Sequence, residues 1–346
     1  MEEDLPARIV VVANPLNDLG IMQELAPPGF DIVIAEPGSR KLSEALPMTE
    51  YFISHGEVAM DDMFYRSAPK LRLVQLLSAG YDRVDLEAAR QARVPVCNNG
   101  GANAVAVAEH ALLLMLAVSR RLPWQHANVV AGRWRGNDVA GLRLYELEGR
   151  TLGIVGLGTI GKKTARLAHA FGMRVQYYDI VRLTEDQADA FGVKFRLLNE
   201  LLHTSDIVSL HVPLTPQTRR LIGETELHLM KKSAYLINTS RGPVVDEEAL
   251  YKALNQGIIA GAGLDVFDRE PPSADNKLFG LANVVLTPHF AGPTWDNQYT
   301  RFRNAFDNVQ RVARGDAPLW LVPELRSYLP VSPGSHRLSQ DGSQTE

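Results

Sequence analysis

Three side chains in the second half of the chain carry complementary chemistry: Arg241 in NTSRGPVVD, Glu270 in GLDVFDREPP and His289 in LTPHFAG. Each follows an apolar run that reads as a strand. Strands of a parallel sheet end on one edge, so residues just beyond them converge there. A guanidinium can grip a carboxylate and a carbonyl oxygen bidentately. A protonated imidazole can give a proton to that oxygen, and a carboxylate beside the ring orients it and favours its charged form. The set suits reduction of a 2-keto acid if a hydride donor lies beside it. Taken singly, each residue also has a plainer reading. Arg241 pairs only with Asp246, Glu270 is a turn residue before Pro271 and Pro272, or His289 is a satisfied histidine at a sheet edge.

The stretch Thr151 to Asp179 offers a place for the donor. Leu152 to Val155 reads as a short buried strand, Gly156, Gly158 and Gly161 follow at once, and a helical pattern continues from Lys162 to Phe171. The first glycine allows the tight turn, the second lets backbone approach a pyrophosphate, and the third lets helix pack on strand. Free N–H groups at the helix start then meet the phosphates. Arg174 to Tyr178 reads as the next strand, and Asp179 stands 18 residues after Gly161, near the roughly 20 expected for the acid that binds the ribose hydroxyls. A carboxylate there repels a 2′-phosphate, so NAD is favoured over NADP, although Arg182 is a residue type that can accept the extra phosphate. The alternative is a glycine-rich turn in a parallel sheet with no ligand.

These pieces need scaffolds to hold them. From Ile9 to Cys97 apolar runs (Ile9–Ala13, Asp31–Ala35, Tyr51–Ser54, Leu73–Leu77, Pro95–Cys97) alternate with helical segments (Met22–Leu25, Lys41–Leu46, Met60–Ser67, Asp85–Arg90), which predicts a separate parallel sheet covered by helices. Two turn-like pieces there follow strands and face a ligand by position, Ser54-His55-Gly56 and Ser78-Ala79-Gly80. For His55 alone a structural role is the better expectation. NNGGA at Asn98 to Ala102 is a break suited to an interdomain crossing. It leads into a long helix, Asn103 to Leu122, that Pro123 is expected to end. The segment with Trp124, Trp134 and Gly136 is read as a surface arm. Past Asp179, strands are expected at Ile207–Val212, Ala234–Asn238, Ala262–Leu264 and Val284–Leu286, with Asp246 capping a helix over Glu247 to Asn255. A helix over Gln298 to Ala313 returns the chain to the first domain. The expected domains are 1–102 with 293–331 and 103–292, and 332–346 reads as a disordered tail.

The 346 residues carry 36 basic and 40 acidic side chains, a net charge of −4, which recommends neither nucleic acid nor an anionic membrane as partner. The one cysteine, Cys97, cannot form an intrachain disulfide, and the acidic start MEEDLPAR has no apolar core behind it, so a cytoplasmic protein is expected. No metal site is read.

The ordered motifs LLSAGYDRVD from Leu76, NAVAVAEH from Asn103, GLGTIG from Gly156, HVPLTPQT from His211, NTSRGPVVDEEAL from Asn238, GAGLDVFDREPP from Gly261 and TPHFAG from Thr287 resemble the D-isomer-specific 2-hydroxyacid dehydrogenases, over about Leu71 to Gly315. The resemblance implies an α/β fold of two Rossmann-like domains, a flavodoxin-like substrate domain and an NAD-binding domain, with a cleft between them. It makes Arg241, Glu270 and His289 catalytic and places Ser78, Ala79 and Gly80 at the substrate carboxylate. Asn103 and Val107 fall near nicotinamide or substrate. Thr159, Ile160, Asp179, His211, Val212, Pro213, Thr218, Thr239, Asp265 and Gly292 fall around NAD, with Asp265 at the carboxamide. A homodimer built through the cofactor domains, and a small 2-keto or 2-hydroxy acid such as glyoxylate or hydroxypyruvate, are further implications.

NAVAVAEH is similar to formate dehydrogenases as well, but those carry glutamine where this chain has Glu270. Trp295 and Tyr299 either line the cleft for a bulkier keto acid or pack on the returning helix. A 3-phosphoglycerate dehydrogenase is disfavoured because little chain follows Gly315 for a regulatory domain. The C-terminal binding corepressors, which sense NAD and act through partner peptides, resemble the same family and stand as the reading from another class.

Overall fold

A computed structural model describes residues 6–135 and 142–328; the tail 332–346 and Gly136 lie outside them. The chain divides into two compact units, Met1–Asn103 with Trp295–Glu346, and Ala104–Thr294.

In the first unit five strands, β1 (Ala7–Val12), β2 (Phe30–Ala35), β3 (Thr49–Ser54), β4 (Leu73–Leu76) and β5 (Val96–Cys97), alternate with helices α1 (Leu19–Leu25), α2 (Arg40–Ala45), α3 (Asp62–Ser67) and α4 (Leu86–Ala92). All pairings are parallel, in the order β2-β1-β3-β4-β5 of a flavodoxin-like sheet. Successive side chains of a strand point to opposite faces, so β1 feeds two cores. Val10 and Val12 pack with Phe52, Phe64 and Leu76 on one side, and Ile9 and Val11 with Tyr51, Leu73 and Phe302 on the other.

The second unit opens with α5 (Ala104–Ser119). The chain does not stay helical to Leu122. Arg121 adopts a left-handed conformation (φ 51°), and a new helix, α6 (Leu122–Val130), starts there with Pro123 in its first turn. Proline lacks an N–H, which the first turn of a helix leaves unpaired anyway, so here it begins a helix rather than ending one. The expected surface arm is therefore partly helical. Next come β6 (Thr151–Val155), α7 (Thr159–Ala170), β7 (Arg174–Tyr178), α8 (Glu185–Phe191), β8 (Val193–Phe195), α9 (Leu198–Thr204), β9 (Ile207–Leu210), α10 (Glu224–Leu229), β10 (Tyr235–Asn238), α11 (Glu247–Asn255), β11 (Gly261–Leu264) and β12 (Val284–Leu286).

The sheet order is β12-β11-β10-β9-β6-β7-β8, parallel throughout, a Rossmann-type arrangement. Strand β9 ends at Leu210, two residues short of the expected Val212. The elements α8, β8 and α9 carry no expectation from sequence. Helix α8 buries no side chain fully and lays only the half-buried Ala188 and Phe191 against the core, while β8 is a three-residue strand with one buried residue. Helix α12 (Asn297–Ala313) then returns to the first unit and packs Phe302, Ala305 and Phe306 on its sheet.

Candidate active site

Because every strand of the second unit runs the same way, the loops after β6, β7, β9, β10, β11 and β12 share one edge. The glycine loop after β6 has the form that a dinucleotide needs. Gly156 takes φ 95°, and a Cβ on it would lie 2.8 Å from the His211 carbonyl oxygen; one on Gly161 would lie 2.3 Å from the Gly156 oxygen. Gly158 faces open space and caps α7, whose first residue Thr159 is exposed and whose second, Ile160, is half-buried. An open second glycine at a helix N-terminus fits a pyrophosphate.

At the end of β7, Asp179 accepts from the Leu157 N–H (2.6 Å) and the Val181 N–H (2.9 Å), which ties the glycine loop to the sheet. Each carboxylate oxygen keeps a second lone pair for a ribose hydroxyl. Arg182 stacks on the Phe195 ring at 4.9 Å.

Other expected cofactor residues line this edge. His211 meets the Ser209 hydroxyl at 2.9 Å. Although the residue as a whole is half-buried, enclosure of the ring lowers its pKa to about 4. It heads a turn through Val212 and Pro213, which Thr218 closes by donating to the Pro213 carbonyl at 2.6 Å. Thr239, after β10, is buried with a hydroxyl that has no partner among the described residues, a polar atom placed for a ligand to satisfy. Val107 is buried on α5, and Gly292 is half-buried after β12.

The three residues singled out for chemistry sit on the same edge. His289 Nδ1 lies 2.8 Å from Glu270 Oε2. A carboxylate only accepts, so Nδ1 carries the proton and Nε2 is the ring atom left to face a reactant. The Phe267 N–H donates to the other Glu270 oxygen at 3.2 Å. Burial alone raises the Glu270 pKa, but the His289 hydrogen bond and charge, the Phe267 N–H and the Arg241 charge outweigh it and hold the carboxyl below its ordinary value.

Gly242 lets the β10 and β11 loops abut, since a Cβ there would fall 1.8 Å from the Phe267 carbonyl oxygen. Arg241 thereby sits close enough for its charge to reach Glu270, and its Nη1 donates to the Ser240 carbonyl at 2.9 Å. Asp246, the plainer partner considered for Arg241, caps α11 and meets Arg220 at 3.6 Å.

His289 has φ 58°, uncommon for a residue with a side chain. Asp265, fully buried at the end of β11, holds it there. Its carboxylate accepts from the Phe290 and Ala291 N–H groups at 2.9 Å each and from the Thr287 hydroxyl at 2.6 Å, while its carbonyl accepts from the His289 N–H at 2.8 Å. His110 on α5 lies 2.9 Å from the same Thr287 hydroxyl. Sequence reasoning assigned His110 no role; an imidazole inside the most apolar helix was the available signal.

Placed in the first unit are Ser78, Ala79 and Gly80, a half-buried turn after β4, where the Ser78 hydroxyl donates to the Gly80 carbonyl at 2.8 Å. Asn103 is there too, its Oδ1 buried and unpartnered. Tyr299 donates to Glu24 at 3.1 Å and Trp295 is exposed.

A family model described as "D-isomer specific 2-hydroxyacid dehydrogenase, NAD binding domain" matches residues 112–291. The chain belongs to the D-isomer specific 2-hydroxyacid dehydrogenase family. A glyoxylate reductase of Korarchaeum cryptofilum is 40% identical over 320 residues, 92% of this chain and 93% of that one. Among solved structures, a glyoxylate reductase from Paecilomyes thermophila has a TM-score of 0.83 at 28% identity, covering 93% of this chain and 100% of that one. A D-lactate dehydrogenase from Aquifex aeolicus, complexed with NAD and lactic acid, has a TM-score of 0.78 at 30% identity, covering 89% and 96%. As a member of this family, which acts on small 2-hydroxy or 2-keto acids, the protein is an oxidoreductase with a Rossmann-type nicotinamide-binding domain. Among the described residues no helix is long and apolar enough to cross a membrane.

Proposed function

We propose that this protein reduces a 2-keto acid to the D-2-hydroxy acid, reversibly, preferring NADH to NADPH, with glyoxylate and hydroxypyruvate as first candidates. The observation that carries the reading is the His289–Glu270 pair at 2.8 Å with the charge of Arg241 upon it, on the sheet edge that also holds the glycine loop. Arg241 polarises the keto oxygen and grips the carboxylate. His289 Nε2 gives that oxygen its proton and is re-protonated from water, while Glu270 keeps the ring in the Nδ1–H form. Nicotinamide, when bound, supplies the hydride.

The second unit serves as cofactor domain and the first as substrate domain, the Ser78–Gly80 N–H groups and Asn103 receiving the carboxylate. Asp179, together with the stacking of Arg182 on Phe195, supports NAD over NADP. The glyoxylate reductases among its relatives support the substrate choice. A homodimer is supported by the exposed apolar residues Val129, Val130 and Trp134 in and after α6.

The test is kcat/KM on glyoxylate, hydroxypyruvate, pyruvate and phenylpyruvate with each reduced cofactor, and on formate with NAD. We expect turnover of at least one keto acid that His289→Ala cuts by about 10²–10⁴ while NADH binding persists. Silence across the panel with NADH still bound would transfer the reading to an NAD-sensing interaction protein.

A further inference from the structure

Arg301 is a guanidinium buried in the first unit without a counter-ion. It lies on the inward stripe of α12 and keeps 6% of its surface. Its Nε donates to the Leu77 carbonyl at 3.2 Å, the residue that leads into Ser78–Gly80. Among the described residues no carboxylate pairs with it, and none accepts from its two Nη groups. Burial lowers its pKa to about 10, still far too high for the group to shed its proton at neutral pH. A cation that cannot neutralise itself is costly to enclose unless negative charge comes from elsewhere.

The groups around Arg301 do not supply that charge. His55, after β3, lies within reach of its field, and its pKa falls to about 4 through burial first and the Arg301 charge second, with Glu57 pulling the other way. Glu57 is a carboxylate in this cluster but does not pair with Arg301: one oxygen accepts from Asn14 Nδ2 at 2.5 Å, the other from the Ser54 hydroxyl at 2.7 Å and the His55 N–H at 2.9 Å. His55 Nε2 meets Asn17 Oδ1 at 2.8 Å, which leaves Asn17 Nδ2 buried with no acceptor. The Ser78 hydroxyl oxygen, whose proton goes to Gly80, also lies 3.4 Å from the His55 carbonyl oxygen, so the β3 and β4 loops touch. The strand order reverses between β1 and β3, the kind of point where open α/β sheets take ligands. An unpaired positive charge and an amide donor without an acceptor, together at that point, call for an anionic acceptor.

We propose that Arg301 and Asn17 extend the Ser78–Gly80 carboxylate turn, Arg301 supplying positive charge from α12 and Asn17 Nδ2 a further donor to the substrate's C1 carboxylate. The proposal rests on the reading of Ser78–Gly80 as the carboxylate turn. It makes Arg301 a charge-supplying and positioning residue, distinct from Arg241 in the second unit. It also makes affinity for every 2-keto acid, glyoxylate included, depend on α12.

The test is calorimetric titration of the full chain, with NADH present, by oxamate, an unreactive monocarboxylate mimic of a 2-keto acid. Arg301→Gln should weaken oxamate by about tenfold or more, the scale of losing a charge-assisted contact, with NADH affinity unchanged; Arg301→Lys should recover part of the loss. Asn17→Asp would supply an internal anion, so it should raise Tm while weakening oxamate. A purely structural Arg301 would lower Tm and leave oxamate affinity alone. A folded Arg301→Gln protein that binds oxamate as the wild type does would overturn the proposal, as would a wild type that does not bind oxamate. If Arg301→Gln fails to fold, unchanged oxamate affinity in Asn17→Asp overturns it. Oxamate binding that obeys these expectations in a protein without keto-acid turnover would sink the redox reading and leave the subsite standing.

Discussion

Acidification from about pH 7 to about pH 5 should destabilise this protein through two enclosed imidazoles. His211 is held to a pKa of about 4 by enclosure beside the Ser209 hydroxyl. His55 is held to about 4 by burial and by Arg301. In the unfolded chain each returns to roughly 6.5. As pH falls through that value the unfolded state takes up protons that the folded state refuses, so stability drops. It is fully present above about pH 6.5 and goes on falling until the folded rings titrate near pH 4. Each ring contributes a slope of about 1.4 kcal/mol per pH unit, or about 2 kcal/mol between pH 6.5 and 5.

Carboxylates do not mask this effect. Glu57, Asp206 and Glu270 all have folded values below their ordinary ones, so their contributions are lost only at lower pH. The assay is urea unfolding at half-unit steps of pH. His211→Gln and His55→Gln should each remove about one proton's worth of slope. The two rings lie in different units, so their effects should add. Stability that stays flat over this window, or a slope that survives in both variants, would refute the reasoning.

Two further outcomes follow from contacts at the sheet edge of the second unit. Asp179→Ala should raise the ratio of NADPH to NADH efficiency by roughly tenfold or more through loss of a repelling charge; an unchanged ratio would count against Asp179 as the ribose contact. His110→Leu breaks the chain from His110 through Thr287 to Asp265, which fixes the turn of His289. We expect kcat to fall about tenfold or more at unchanged NADH affinity, with His110→Gln and Thr287→Ser largely active and Thr287→Val impaired; equal activity of Thr287→Ser and Thr287→Val would remove the hydroxyl from the argument.

How far the sequence could be read depended on how each feature is encoded. Every strand but β8, and most helices, were legible because burial on one or both faces leaves a period that a sequence carries by itself, as in β1 and α11. Helix α8 has only Ala188 and Phe191 half-buried against the core, too few to leave a period. Pro123 misled because proline is compatible with the first turn of a helix as well as with a stop, and only the left-handed Arg121 decides between them. The glycine loop and the order of residues Arg241, Glu270 and His289 were legible because parallel strands deliver their ends to one edge, so chain order alone implies proximity.

The contacts that complete the site were not legible, and the reason is physical. His110 stands as a polar residue on the largely apolar α5, and Arg301 as the one charged residue on the buried face of α12, beside Asn297, Gln298 and Asn308; such a residue is tolerable only if something at its tip answers it. For His110 that answer lies 177 residues away, in the Thr287 hydroxyl. A sequence marks the exception but not the partner, because register between distant elements is set by packing. For Arg301 the answer among the described residues is one neutral acceptor, the Leu77 carbonyl, and no carboxylate, which is why we propose an anion from outside the chain. A buried polar residue whose partner is found reads as architecture, and one whose partner is missing after the fold is complete reads as a ligand contact.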